Sequence, residues 1–290
     1  MAAAWSDVPI VTVATDLGWG EGPAFLPSAN GVVFSDVATS TMWLWRLDAL
    51  DVSVFRRPSL HANGNTVDAE GRLITCEHQT RRVTRTEADG RIVVLADNYE
   101  GRPLNSPNDV VVAGDGGVWF TDPPYGLLRG ECGVDARMEQ PVAGVYRIEP
   151  SGAVRLMIGC LDKPNGLAFS PDERSLYVSD TGHSHRPGGN RHIFRFDIAA
   201  DGTAGPLTVF RDIVPAACDG LRVSAGGTVW STAGDGVHLY GADGAALGRL
   251  DLGEMATNLC FLPSPGRRMF VTTPTRALVC DLSRHWEGRA

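Results

Sequence analysis

Residues 164–181, PNGLAFSPDERSLYVSDT, carry two short apolar runs, Leu167–Phe169 and Leu176–Val178, on either side of a Ser-Pro-Asp turn. Short apolar runs bounded by turn residues predict a β-hairpin. The same plan recurs along the chain: EGPAFLPSANGVVFS begins at Glu21, NGNTVDAEGRLITC at Asn63 and NDVVVAGDGGVWFT at Asn108. DGLRVSAGGTVWST begins at Asp219 and NLCFLPSPGRRMFVT at Asn258. Each segment reads as a polar residue, an apolar strand, a tight turn and a second apolar strand. The second strands centre near Val33, Ile74, Trp119, Tyr177, Trp230 and Phe270, about 40–58 residues apart.

Beyond each hairpin the alternation continues. Third strands are expected at Met42–Leu47, Gly144–Ile148 and His192–Phe196, and fourth strands at Arg91–Leu95 and Ala153–Met157. Four strands per unit at this spacing, with no sustained helical period, predict an all-β fold. The specific expectation is a six-bladed β-propeller, a single domain over residues 1–290. The sixth unit ends with Ala277–Asp281, one strand short. Residues 8–14, VPIVTVA, are expected to supply that strand and close the ring.

In a propeller the innermost strands line a central channel. The polar residues heading them, Glu21, Asn63, Asn108, Asn165, Asp219 and Asn258, should therefore converge at one level. Asn-Gly and Asp-Gly also form turns on their own account. A closed ring holding both a Glu and an Asp asks for more, because buried carboxylates repel and lose water. A bound cation relieves both costs. Carboxylate and carboxamide oxygens are hard ligands, suited to calcium or magnesium rather than to a thiolate-seeking metal. The positions they leave open would admit water and substrate.

Composition narrows the partners. A net charge of −8 argues against nucleic acid and anionic membrane surfaces. No run approaches the roughly 18 apolar residues of a membrane helix. The N-terminal MAAAWSDVPI lacks the basic head and apolar stretch of a secretion signal. The six cysteines form no CxxC pair, so neither a disulfide framework nor a zinc site is expected. A reduced, cytoplasmic protein, monomeric or a small homo-oligomer, is the expectation.

Several motifs carry a family resemblance. Glu21-Gly22-Pro23, Ser106-Pro107-Asn108-Asp109, Pro164–Phe169 and Asp219-Gly220 resemble those of the gluconolactonase and regucalcin (SMP-30) family, across about residues 15–282. Cys76-Glu77-His78 with Arg81-Arg82, and Thr121–Leu127 (TDPPYGL), resemble its bacterial gluconolactonase branch. The resemblance implies a six-bladed propeller with one catalytic divalent ion: calcium first, with magnesium, manganese or zinc as alternatives. It implies Glu21, Asn108, Asn165 and Asp219 as metal ligands, Asn108 also as a substrate contact, and Asp219 as general base or nucleophile. Two positions depart from relatives. Ser106 stands where animal regucalcin has a sugar-binding arginine. Arg222 stands where diisopropylfluorophosphatase has an acid serving a second calcium, and no second ion is expected.

Asn63, His78, Tyr125 and His183 are expected at the channel mouth as substrate contacts, with Trp19 at its rim. Asp180, which ends its blade's second strand, is expected either to contact substrate or to cap the next turn. His185, His192, His238 and Cys218 are expected to be structural. The segment 127–142, LLRGECGVDARMEQPV, is long for a loop and is expected to act with Tyr125 in selecting substrate. Together these readings point to hydrolysis of a sugar lactone, with Asp219 deprotonating a water. Phosphotriester hydrolysis asks for the same ligands. A non-catalytic calcium-binding propeller is a third reading, which the mixed carboxylate and amide ring disfavours.

Overall fold

A computed structural model of the protein describes residues 4–130, 132–263 and 267–285. Among these residues, six four-stranded antiparallel sheets follow one another in chain order. The first comprises Gly20–Leu26, Gly31–Asp36, Thr41–Arg46 and Val52–Arg56, from the channel outward. The next four start from inner strands Ala62–Val67, Val110–Val112, Pro164–Phe169 and Leu221–Val223. The sixth runs Asn258–Phe261, Arg268–Thr272 and Ala277–Asp281, and its outer strand comes from the other end of the chain. Ile10–Ala14 pairs antiparallel with Ala277–Asp281, Ile10 lying opposite Cys280. The six-bladed propeller and its closure by the N-terminal strand are as the sequence predicts. Among the described residues no helix is long and apolar enough to cross a membrane.

The core lies between neighbouring blades. Trp119 of the third blade packs with Leu176 and Phe194 of the fourth, and Phe34 of the first packs against Phe270 of the sixth, ring centroids 5.3 Å apart. Such large rings, buried together with aliphatic side chains, add to the apolar burial that holds one blade to the next.

The inner strands explain how polar side chains reach the axis. Pairing with the second strand breaks register between Glu21 and Ala24, Ala62 and Asn65, and Pro164 and Leu167. A bulge re-aims the side chain it contains: Asn63 and Asn165 lie within theirs, and Glu21, opposite Ser35, borders its own. The residue that follows each of these is a glycine pressed against the next blade. The Gly64 N–H donates to Asn108 O at 2.7 Å and the Gly166 N–H to Asp219 O at 2.9 Å. A Cβ on Gly22 would stand 2.1 Å from Asn63 O. Only glycine lets the blades close that tightly. In the third blade the same place is held by Asp109.

Candidate active site

The bulges and blade starts bring Glu21, Asn63, Asn108, Asn165 and Asp219 together on the wall of one cavity of about 450 Å³. All five are buried. Asn258, expected in the same ring, is turned to a supporting task. Its Nδ2 donates to Glu21 Oε2 at 3.2 Å, and its Oδ1 accepts the Leu259 N–H at 2.9 Å.

The charges here are under strain. Burial first, then repulsion from Asp219 and Asp109, raises the Glu21 carboxyl well above the usual range. Burial and Asp109 likewise push Asp219 up to about 7, against hydrogen bonds from Asn165 and Glu21 that favour its ionised form. Asp109 is the residue sequence reasoning missed. It is almost fully buried, and its Oδ2 lies 3.3 Å from Arg222 Nη1 and 3.5 Å from Asn258 Nδ2.

Three buried carboxyl groups facing one guanidinium can ionise together only if more positive charge is supplied, and a divalent cation would supply it. Glu21, Asp219, Asn108 and Asn165 offer two carboxylates and two carboxamides, a hard-oxygen donor set that fits calcium or magnesium. Among the described residues no group of three or more His, Cys, Asp and Glu side chains forms a metal site by itself. The carboxamides are needed to complete one.

Of the expected substrate contacts, Asn63, His78, Tyr125 and His183 line the cavity. His183 is exposed at the rim. The Tyr125 hydroxyl is tied to Thr181 Oγ1 and, at 3.2 Å, to Ser184 Oγ, and burial raises its pKa above the ordinary phenol value. Tyr125 is thus a wall rather than a proton donor. His185, expected to be structural, lies beside Tyr125 with ring centroids 5.4 Å apart and the planes tilted by 48°, and also lines the cavity. Trp19 is at the cavity as expected, 37% exposed, with Met255 among the other lining residues.

Asp180 does not reach the cavity. Its Oδ1 accepts the N–H groups of Lys163 and Gly182, and its Oδ2 accepts those of Asp162 and the Asn190 carboxamide, at 2.8–3.0 Å. Of the two roles weighed from sequence, capping describes it. Asp36 and Asp122 repeat the device at the ends of their own second strands, accepting from Gly18, Trp19 and Asn105. The described residues of segment 127–142 are tied down. Gln140 Nε2 donates to Arg102 O at 2.7 Å, Arg81 pairs with Glu139 at 2.8 Å, and the Val134 N–H donates to Gly126 O at 2.7 Å.

Comparison with known proteins identifies the family and agrees with the fold. The model of the SMP-30/gluconolactonase/LRE-like region matches residues 19–275. A gluconolactonase of Zymomonas mobilis is 32% identical over 91% of this chain and 78% of its own length. The solved structure of a gluconolactonase from Xanthomonas campestris is 38% identical, with a TM-score of 0.88 over 96% of this chain and 91% of that one. The calcium-binding regucalcin of Agrobacterium tumefaciens shares the fold, with a TM-score of 0.75 and 20% identity over 96% of this chain and 94% of its own.

Proposed function

The chain belongs to the SMP-30/gluconolactonase/LRE-like family, and from that premise we propose that it hydrolyses a sugar lactone to the aldonic acid in the cavity of about 450 Å³. The observation that carries this reading is the pair of buried carboxyl groups, Glu21 and Asp219, on the wall of a cavity that amides, imidazoles, aromatic rings and small apolar and hydroxyl side chains also line. Its relatives in Zymomonas and Xanthomonas are named for lactone hydrolysis.

In this reading Glu21, Asn108, Asn165 and Asp219 hold one divalent cation, calcium in the first instance. When bound, the ion supplies Lewis acidity toward the lactone carbonyl. Asp219 takes the proton of the attacking water and returns it to the ring oxygen as the acyl C–O bond breaks, restoring the base and freeing the sugar hydroxyl. Burial and Asp109 raise its carboxyl to about 7, against hydrogen bonds from Asn165 and Glu21; the charge of a bound ion would favour the ionised form that a base must have. Asn63 and His183 orient the hydroxyls of the substrate. Tyr125, fixed by Thr181 and Ser184, shapes the wall and excludes water. Among the described residues the cavity lining holds no lysine or arginine, which suits an uncharged lactone rather than a phosphorylated one.

The test is one panel: protein stripped by chelator, refilled with calcium, magnesium, manganese or zinc, and assayed by pH-stat on several sugar lactones and one phosphotriester. Lactone opening restored by one metal, and lowered by about 10² or more in Asp219→Asn, is the expected result. Turnover of the phosphotriester alone would move the protein to the other hydrolase class. Asp219→Asn that binds metal yet turns over at the wild-type rate would reduce Asp219 to a ligand.

A further inference from the structure

His78 lies within the cavity wall, almost wholly buried, and both ring nitrogens are engaged. Nδ1 is 3.1 Å from Cys132 O, and Nε2 is 3.3 Å from Asn63 Nδ2. A carbonyl oxygen only accepts, so Nδ1 carries the hydrogen. Burial keeps the ring neutral, lowering its pKa to about 4. A neutral imidazole has one N–H, which leaves Nε2 as a bare lone pair. That lone pair accepts only from the NH₂ end of the Asn63 carboxamide. The Asn63 Oδ1 is then directed away from His78, and the residue lines the cavity.

From this chain of donors and acceptors we propose that His78 is a positioning residue: the Cys132 carbonyl fixes its tautomer, and the tautomer presents Asn63 Oδ1 to the cavity as an acceptor for a substrate hydroxyl. The orientation of the amide follows from chemistry. The reverse amide would set two acceptors face to face at Nε2.

The proposal gives segment 127–142 a task. Ser106 Oγ accepts the Gly126 N–H at 2.9 Å and donates to Pro123 O at 2.6 Å, pinning the turn that follows Pro124. The Gly126 backbone packs onto the His78 side chain so closely that a Cβ there would lie 2.7 Å from His78 Cβ. Gly126 O accepts from Val134, and this return of the chain brings the Cys132 carbonyl to the imidazole. The loop selects substrate through His78 and Asn63 rather than by covering the cavity.

The inference rests on the lactonase reading for its substrate hydroxyl, but its core is measurable without substrate. Long-range ¹H–¹⁵N spectra of imidazole-labelled protein at neutral pH, with His78 assigned by its substitution, should show a pyrrole-type Nδ1 and a pyridine-type Nε2. An Nε2–H tautomer or a protonated ring overturns the proposal. Kinetics on glucono-δ-lactone supply the second arm. His78→Phe and Asn63→Ala should each raise KM about tenfold, the worth of one hydrogen bond, with kcat within about a factor of two. The double variant should be no worse than either single one, since His78 acts through Asn63. Effects that multiply to about a hundredfold overturn it. If His78→Phe fails to fold, His78→Gln supplies the assignment, and the wild-type tautomer and Asn63→Ala still decide. A wild-type protein that opens no lactone defeats the lactonase reading, and the tautomer measurement then decides the relay on its own.

Discussion

Calcium should stabilise this protein more at pH 8 than at pH 5, because the carboxyls that would hold it are those that burial keeps protonated. Asp219 is pushed up to about 7 by burial and by Asp109, and Glu21 is raised with it. In an unfolded chain both groups titrate near 4. Between about pH 4 and 7 the cation-free folded protein therefore binds a proton that the unfolded chain has released. Its stability falls as pH rises through that window. Asp122, buried and raised to about 7, acts in the same sense. His78 opposes them: burial lowers it from 6.5 to about 4, so over that range the unfolded chain binds the extra proton and stability rises with pH. A bare pH–stability curve mixes all of these. The difference between calcium-loaded and calcium-free protein does not, since Asp122 and His78 contribute to both. Calcium must displace the Asp219 proton, so apparent affinity loses about one decade per pH unit below 7. From pH 7 to pH 5 that is about a hundredfold, or ~2.7 kcal/mol of stabilisation. At about 2–4 °C per kcal/mol for a chain of this order of length, the calcium-induced rise in Tm should shrink by roughly 5–10 °C. Scanning calorimetry at fixed free calcium and fixed ionic strength, against a chelator control, reads this directly. A calcium-induced shift that is equal at pH 5 and pH 8, or larger at pH 5, would refute the reasoning.

Three further outcomes are expected. Deleting residues 1–14 removes the outer strand of the sixth blade, the buried Val8 and the Trp5 ring that packs edge-on to Trp230 at 5.9 Å; about 5 kcal/mol should go with them, and the bared edge at Ala277–Asp281 should promote association, so a truncated protein that stays monomeric with an unchanged Tm argues against the closure being structural. Arg222→Leu strands the buried Asp109 and should cost about 3–5 kcal/mol in urea unfolding, most of it recovered in Arg222→Leu/Asp109→Asn; equal losses in the single and double variants would mean the pair is not coupled. Asp180→Ala leaves four N–H donors without their acceptor and should lower stability by about 2–4 kcal/mol while KM for lactone stays within a factor of two; a large rise in KM with unchanged Tm would return Asp180 to the substrate.

The fold was legible because each blade states it separately. Alternation, a turn and a second apolar run occur six times, and the spacing admits four strands per unit. The closing strand was legible by subtraction, since the sixth unit lacks an outer strand and Ile10–Ala14 has the right alternation. Boundaries slipped where a single residue decides pairing. The fourth strand of the third blade is Val154–Ile158, one residue beyond the predicted Ala153–Met157. Its pairing shifts register between Val145 and Tyr146, which the apolar pattern does not encode.

The cavity was only half legible, and Asp109 shows why. Its neighbours in the repeat are Gly22, Gly64, Gly166 and Gly220, each pressed against the next blade. At this position a side chain fits only where it can turn away from the next blade, as Leu259 does into the core and Asp109 does toward Arg222. The sequence thus held the signal, but as a break in the pattern rather than as the pattern. The same logic joins Asp109 to Arg222, 113 residues away in sequence and 3.3 Å away across the channel. Read as a missing acid, Arg222 only removed a second ion from consideration. In the folded chain it is a positive charge set against the third carboxylate, so that Glu21 and Asp219, once their protons are displaced, would present two negative charges to the cavity. A divalent ion balances two charges, and the ring then needs neither a buried proton nor a second metal. His78 was legible as a residue at a strand end but not as part of a relay, since its tautomer depends on Cys132, 54 residues on. Contacts of that reach are made by loops, whose path no local periodicity records.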